Sequence, residues 1–197
     1  MIWHVILGML TDGKPRHGYD LVVEYNTRSG TTASSGYFYR ELARLTARGL
    51  VVTGVAQPNE DARRIPYQIT SRGRAEFSRW LVRPGDDDTD FIGWLLFVEQ
   101  VAVDVRDRIL KQREDVLWVR NKVLARAREK ALDEATSPSD PLPALVSRQM
   151  KQVSAELEFL EEFRRLLAEH PPHKPVPQPA PVAAPAVPSR LRRKDRG

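Results

Sequence analysis

The chain of 197 residues contains no cysteine. Disulfide bonds, thiolate metal sites and cysteine nucleophiles are therefore excluded, and nothing in the composition indicates an oxidising compartment. No apolar stretch approaches the roughly 20 residues that a membrane-spanning helix needs. The apolar residues 2–7 are also not preceded by the basic segment that opens a signal peptide. We therefore expect a cytoplasmic protein without a membrane partner.

Recognisable catalytic and metal-binding motifs are missing as well. The sequence has neither a phosphate-binding loop of the form GxxxxGK(S/T) nor a His-Glu-x-x-His motif. His170 and His173 lie in a proline-rich setting that suits a metal ion poorly. The three aspartates at residues 86–88 fit an acidic linker ahead of a helix better than a cation site. We predict no enzymatic activity, no cofactor and no metal.

Positive charge is concentrated at the two ends of the chain. Residues 1–83 contain 12 Lys and Arg against 7 Asp and Glu, residues 84–189 contain 14 against 18, and residues 190–197 contain 5 against 1. A basic first segment joined to an acidic second one fits a DNA-binding module fused to a module with another role. Such a difference also arises by chance, so it supports the argument from motifs without replacing it.

The first 30 residues predict two helices joined by a turn. Residues 2–11 are apolar almost all round, which is typical of a helix buried on more than one side. Residues 11–15 contain glycine and proline and end this helix. A second helix is predicted near residues 17–28, with Gly30 at its C-terminal cap.

A third helix is predicted from Ser34 or Ser35, either of which can serve as its N-cap, to Gly49. Its core face carries an i, i+4, i+7 stripe of large apolar side chains: Phe38, Leu42 and Leu45. The opposite face is predicted to be exposed and carries Tyr37, Arg40, Glu41, Arg44 and Arg48.

A short basic ribbon follows the third helix. The apolar runs at residues 50–52 and 67–69 predict two strands, with a tip at residues 59–61 and a basic pair, Arg63 and Arg64, on the return. A helix followed directly by such a ribbon is the layout of a winged helix-turn-helix. The expected partner is duplex DNA, with the helix in the major groove and the wing along the backbone.

Composition divides the chain into three parts. Thr70 can cap a fourth helix over residues 71–82, and the linker that follows ends a first domain at residues 1–83. Residues 89–168 form a second, helical domain. Residues 171–188 hold eight of the 15 prolines, so residues 169–197 are predicted to be an extended, disordered tail. Its basic end either adds nonspecific attraction to DNA or is simply solvated.

The second domain is predicted to contain two long helices. Thr89 is expected to cap the first, whose apolar positions recur every three or four residues: Phe91, Leu95, Val98, Ala102, Val105, Ile109, Val116, Val119 and Val123. The second begins near Pro141 and carries two adjoining apolar stripes: Leu142, Val146, Val153, Leu157, Leu160 and Leu167, with Phe159, Phe163 and Leu166. Two helices alone make a thin core, so we expect a second copy of the chain to complete it as a homodimer.

These motifs resemble the winged-helix domain of PadR-type transcriptional regulators. The family's Leu-Gly-Leu-Leu and His-Gly-Tyr motifs correspond to Leu7-Gly8-Met9-Leu10 and His17-Gly18-Tyr19. Its Ser-Pro-Gly-Ser-Leu-Tyr-Pro-x-Leu-x-Arg-Leu motif corresponds to residues 34–45, and its wing return, with Tyr and Leu-Thr-x-x-Gly, to residues 63–73. Ser35 and Arg40 replace two prolines of the motif, and Arg40 places an extra cation on the exposed helix face. The resemblance covers the first 82 residues; beyond them it extends only to helix number and length.

The resemblance implies a mainly α-helical fold, with a winged helix-turn-helix domain and a C-terminal long-helix dimerisation module. It also implies a dimeric repressor whose C-terminal helices hold the dimer and often respond to a small ligand. The predicted DNA-binding residues are Tyr19, Ser34, Ser35, Tyr37, Tyr39, Arg40, Arg44, Arg63 and Arg64. Arginines on the helix can read guanine, whereas those on the wing add salt-sensitive affinity. The simpler interpretations are a solvated basic face and, for Tyr19 and Tyr39, packing between helices.

Trp94 is the candidate ligand residue. It either walls a cavity for a flat aromatic effector, facing its symmetry mate in a dimer, or is an ordinary core tryptophan. The functional hypothesis is a homodimeric, sequence-specific regulator that binds a pseudo-palindromic operator, most simply a repressor released by a small ligand or another signal at the dimer helices. The alternative is a helical protein-interaction scaffold with only nonspecific DNA binding.

Overall fold

A computed structural model describes residues 2–30, 32–54, 65–85, 87–135, 137 and 139–170. These residues are mainly helical, with one small antiparallel sheet. In chain order the elements are α1 (Ile2–Met9), β1 (Arg16–His17), α2 (Gly18–Ser29), α3 (Ser35–Ala47), β2 (Val51–Thr53), β3 (Pro66–Ile69), α4 (Ser71–Val82), α5 (Asp88–Leu95), a 3-10 turn (Val98–Gln100), α6 (Val103–Asp133) and α7 (Leu142–Glu169). None of the helices in the described ranges is long and apolar enough to cross a membrane.

Helix α1 lies at the centre of the N-terminal helices and packs against α2, α3, α4 and α5. All of its residues except Trp3 are buried, which confirms the prediction of a helix covered on more than one side. Gly8 makes the close packing possible, because a Cβ there would lie 2.4 Å from Cζ of Phe97 and 2.7 Å from Cε2 of Phe77. The apolar face of α3 meets this core through Phe38, Leu42 and Leu45, as predicted.

The helix ends follow the sequence signals. Ser34 caps α3, its hydroxyl oxygen accepting a hydrogen bond from the Tyr37 backbone N–H at 3.3 Å. Thr70 caps α4 in the same way from the Gly73 N–H at 3.0 Å. Gly30, with φ 64°, closes α2 in the left-handed conformation that glycine adopts without strain.

Within the described ranges the sheet has three strands, one more than predicted, in the order β1-β3-β2. Val51 pairs with Ile69 and Thr53 with Tyr67, which confirms the predicted ribbon, while Arg16 of β1 also pairs with Tyr67. Two residues are too short for an alternating pattern, so nothing in the local sequence marks β1. The predicted wing tip and the basic pair Arg63 and Arg64 lie outside the described residues.

The predicted long helix from Thr89 is wrong at its beginning. Asp87 caps α5 instead, its carboxylate accepting from the Asp90 N–H at 2.8 Å, and α5 ends at Leu95. The 3-10 turn separates it from α6, and the adjacent Phe97 packs edge-on against Phe77 at 5.1 Å. The regular spacing of apolar residues that predicted one long helix therefore covers two helices and the turn between them, beside which Phe97 packs against α4.

Helices α6 and α7 form an antiparallel hairpin. Their buried residues recur every seven positions, a strict coiled-coil period: Leu110, Leu117 and Leu124 on α6, and Val146, Val153 and Leu160 on α7. Other predicted seam residues lie on the outside of the single chain instead: Val116, Val119, Val123, Leu142, Phe159 and Leu166. The chain thus has a closed intramolecular seam and a second, uncovered set of apolar residues.

Candidate nucleic-acid interface

The exposed face of α3 is the centre of the candidate interface. Tyr37, Arg40 and Arg44 are exposed and lie away from the buried Phe38 stripe, as the helical spacing predicts. Ser34 and Ser35 are exposed at the N-terminus of the helix. Backbone N–H groups without helical partners are concentrated at such a terminus, so it favours anions such as phosphate.

Each of the two arginines is held by the residue three positions before it. The Arg40 guanidinium lies over the Tyr37 ring at 5.9 Å from its centroid. Arg44 donates a hydrogen bond from Nη1 to Oε1 of Glu41 at 2.6 Å. Glu41 was predicted to be exposed, but its side chain is only 8% exposed, whereas that of Arg44 is 71% exposed. The prediction failed because Glu41 lies at the edge of the core stripe, one turn before Leu45.

Tyr39 lies on the other flank of α3, where it packs over α2. A Cβ on Gly18 would lie 2.5 Å from Cε1 of Tyr39, so only glycine leaves room for this ring. The neighbouring Tyr19 is 68% exposed at the start of α2. The structure therefore places Tyr39 against Gly18, the residue that precedes Tyr19, and Tyr39 does not share the face of Tyr37 and the arginines.

Tyr67 is a further member of this region that was not predicted as a site residue. It lies on β3, and burial together with the neighbouring Tyr39 phenol raises its pKa. Its partner strand β1 carries Arg16, which donates to Asp12 at 3.1 Å and also to Glu24. Arg16 is thus committed to internal ion pairs at the base of the wing.

Trp94 is a core residue in the single chain. Its side chain is fully buried, its indole N–H donates to the Leu81 carbonyl oxygen at 2.9 Å, and it stacks on Phe91 with 5.9 Å between ring centroids. This geometry fits the simpler of its two interpretations. A ligand would reach the indole only after Phe91 or α4 had moved.

A cavity of about 300 Å³ lies where the end of α4 meets α5 and α6. The described residues that line it include Arg83, Arg108 and Arg113, and its apolar wall includes Phe91 and Val116. The volume is at the lower end of the range for small-molecule sites.

Arg113 connects three helices beside that cavity. Its guanidinium donates to Asp88 at the start of α5 at 2.6 Å and to Glu156 of α7 at 2.7 Å, and it lies 5.0 Å from the Phe91 ring centroid. Burial would lower the pKa of Arg113, but these hydrogen bonds outweigh it and the pKa is raised. The same contact holds the pKa of Asp88 below its usual value.

Comparison with known proteins gives the following matches. Residues 6–79 match the family described as the transcriptional regulator PadR-like family. Bacillus subtilis PadR in complex with operator DNA is 18% identical, with 84% of this chain and 98% of that chain covered and a TM-score of 0.39. The same protein in complex with p-coumaric acid is 20% identical (85% and 95% covered, TM-score 0.38), as is smu.1604c from Streptococcus mutans UA159 (83% and 98% covered, TM-score 0.38). No match is found among curated proteins.

Proposed function

We propose that this chain is a homodimeric repressor that binds a pseudo-palindromic operator, because residues 6–79 match the model of the PadR-like family of transcriptional regulators. The observation that supports this most directly is the exposed Tyr37, Arg40 and Arg44 face of α3. It lies on a winged helix whose flank presents Tyr19 and Tyr39. In a symmetric dimer, two such helices would enter major grooves one helical turn, or a multiple of it, apart.

The proposed contacts fall into two sets, those with base edges and those with the phosphate backbone. Arg40 and Arg44 read base edges, because an arginine can bind guanine O6 and N7 through two donors. Ser34, Ser35, Tyr19 and Tyr39 bind phosphates and fix the register of the helix. Arg63 and Arg64, which the sequence predicts to lie on the wing, would add sequence-independent attraction. Tyr37 holds Arg40 through its ring and lies at the edge of the same surface.

The uncovered apolar residues of α6 support the dimer. Val116, Val119 and Val123 are 41%, 63% and 59% exposed and follow one another at helical spacing, so they form a stripe. The intramolecular seam uses other residues of α6, mainly Leu110, Leu117 and Leu124, and leaves this stripe free for a second copy. A self-complementary apolar stripe is what a two-fold interface needs.

Regulation would act through the cavity beside Arg113. We propose that a small amphipathic anion, such as an aromatic carboxylate, binds there with Arg108 as counter-charge and Phe91 as apolar wall. Trp94 stacks behind Phe91 and would form a second layer of the site. The anion would compete with Asp88 and Glu156 for Arg113, which changes the packing of α5, α6 and α7. Release from DNA requires that the ligand bind the DNA-incompetent arrangement more tightly.

The DNA-binding proposal is tested by fluorescence anisotropy with the duplex immediately upstream of the chain's own gene and a scrambled duplex of equal length. A preference for the native duplex at physiological salt, lost in the R40A/R44A variant, would support sequence-specific regulation. Equal binding to both duplexes that is lost as salt rises would show only nonspecific attraction to this DNA. That result would favour the protein-interaction scaffold. The R126A variant is the control, since Arg126 is an exposed cation on α6.

A further inference from the structure

We propose that Glu41 is a positioning residue that orients Arg44 toward base edges and keeps it off the phosphate backbone. The inference rests on the proposed DNA-binding function and concerns how the recognition helix discriminates between sequences. An acidic side chain on such a helix repels DNA, so a glutamate beside the exposed arginine face, at the edge of the core stripe, needs a role that outweighs the repulsion.

Burial makes the pairing of these two residues obligatory. The Glu41 side chain is 8% exposed, and a buried carboxylate must be paired because desolvation of a lone charge is costly. Its ion-pair partner among the described residues is Arg44, at 2.6 Å. Two other arginines of this segment contact aromatic rings: Arg40 lies over the Tyr37 ring, and Arg48 lies over the Trp3 ring at 4.8 Å. Glu41 therefore holds the Nη1 group of the Arg44 guanidinium in place.

The pairing leaves Arg44 able to read a base. A guanidinium has five N–H donors in a fixed fork, and Glu41 uses the Nη1 group. The other N–H donors of the guanidinium can contact a base, because the Arg44 side chain is 71% exposed. A guanidinium that is already held on one side loses less conformational freedom when it binds guanine through two donors than a free guanidinium would. This favours the two-donor contact with guanine over a contact with phosphate, which has no fixed geometry.

The pairing also lowers the positive charge that the helix offers to any DNA. Nonspecific affinity grows with the number of phosphates that cations neutralise, and each such contact steepens the salt dependence. With Glu41 in place, Arg44 is already neutralised and contributes little to that term. The residue thereby reduces binding to all sequences while retaining the contact that distinguishes them.

The test is the E41Q variant, which keeps the shape of the side chain and removes its charge. Binding to the best duplex from a random pool, and to duplexes with single base-pair changes, is measured across a salt series. We expect scrambled DNA to bind about 3- to 10-fold more tightly and the slope of log K against log salt to steepen by about 0.9. Discrimination at one G·C pair should fall by about 10-fold.

The controls separate positioning from a purely structural role. E76Q removes the acid of a similar i, i+3 pair, Glu76 and Arg79, on α4, and should change none of these quantities. In the R44Q background E41Q should have no further effect on discrimination. If E41Q fails to fold, E41D can be used instead, because it keeps the buried charge on a shorter side chain. It should lower discrimination at the G·C pair and leave the salt slope unchanged.

Two results would overturn the inference: an unchanged salt slope and discrimination in E41Q, or an equal effect of E41Q with and without Arg44. Its failure is distinguishable from failure of the proposed function. The wild-type preference for one duplex over scrambled DNA tests the function alone, before any variant is compared.

Discussion

The indole N–H of Trp94 donates a hydrogen bond to the carbonyl oxygen of Leu81 at 2.9 Å. This contact joins α5 to the last turn of α4 across the linker, and α5 also packs against α1. The first helix after the linker is therefore anchored to the winged helix. In our proposal, this anchor lets a change in the packing of α6 and α7 alter the position of the DNA-binding surface.

Replacing Trp94 by Phe tests that anchor. The variant loses the hydrogen bond and leaves the buried Leu81 carbonyl without its partner, so the free energy of unfolding should fall by about 1–3 kcal/mol. Urea denaturation measures the change. W118F is the matched control: Trp118 is 47% exposed, and its replacement should cost less than about 0.5 kcal/mol. Equal stability of W94F and wild type would contradict the anchoring role.

Gly18 is expected to matter for DNA binding through Tyr39. In G18A the new Cβ must displace the Tyr39 ring, because the two would lie 2.5 Å apart. Affinity should fall about equally for the operator and for scrambled DNA, since phosphate contacts carry no sequence information. Y39F should have the same signature, and the double variant should bind no worse than G18A. A selective loss for the operator alone would show that Tyr39 reads bases.

Acid should destabilise the fold through His4. This ring stacks on Trp80 at 4.6 Å, and burial lowers its pKa from 6.5 to about 3, even though Asp90 lies 3.8 Å from Nδ1. The unfolded chain therefore binds more protons between pH 6.5 and 3, and the free energy of unfolding falls as pH drops through that range.

The H4F variant keeps the stacked ring and removes the titration. Its free energy of unfolding should change less than that of the wild type between pH 7 and pH 4.5, as measured by urea denaturation. Replacing the exposed His170 by Phe serves as the control and should leave the wild-type dependence intact. The same dependence in H4F and wild type would assign the acid sensitivity to other groups.

The proposed dimer face gives a direct prediction for Val119. In V119E a charge would be buried without a partner, which costs about 3 kcal/mol, or roughly 100-fold in the dimer dissociation constant. Sedimentation equilibrium measures this constant. K122E changes an exposed charge on the same helix and should have little effect. A V119E protein that stays dimeric would place the interface elsewhere.

The winged-helix domain was predictable because its signals are local. The stripe of Phe38, Leu42 and Leu45 and the caps at Ser34 and Thr70 act within one or two turns of a helix, and all were confirmed. The strand β1 was missed because it exists only through pairing with β3, which lies about 50 residues further along the chain.

The chain after the linker was harder to predict because one spacing of apolar residues fits two structures. The residues from Phe91 to Val105 repeat as a helix would, yet the chain turns at Val98–Gln100 so that Phe97 can pack on Phe77. Among the site residues, exposure of Tyr37, Arg40 and Arg44 followed from periodicity. The burial of Glu41 did not follow from periodicity. A glutamate is expected on the surface because of its charge, and it can be buried here because it pairs with Arg44.

Selection of bound duplexes from a random-sequence pool at physiological salt is the decisive test of recognition by α3. We expect convergence on an inverted repeat, with half-site centres about 10 base pairs or a multiple apart, and loss of that convergence in R40A/R44A. A pool that remains unselected, while wild type and R40A/R44A retain equal binding at low salt, would contradict sequence-specific recognition by α3.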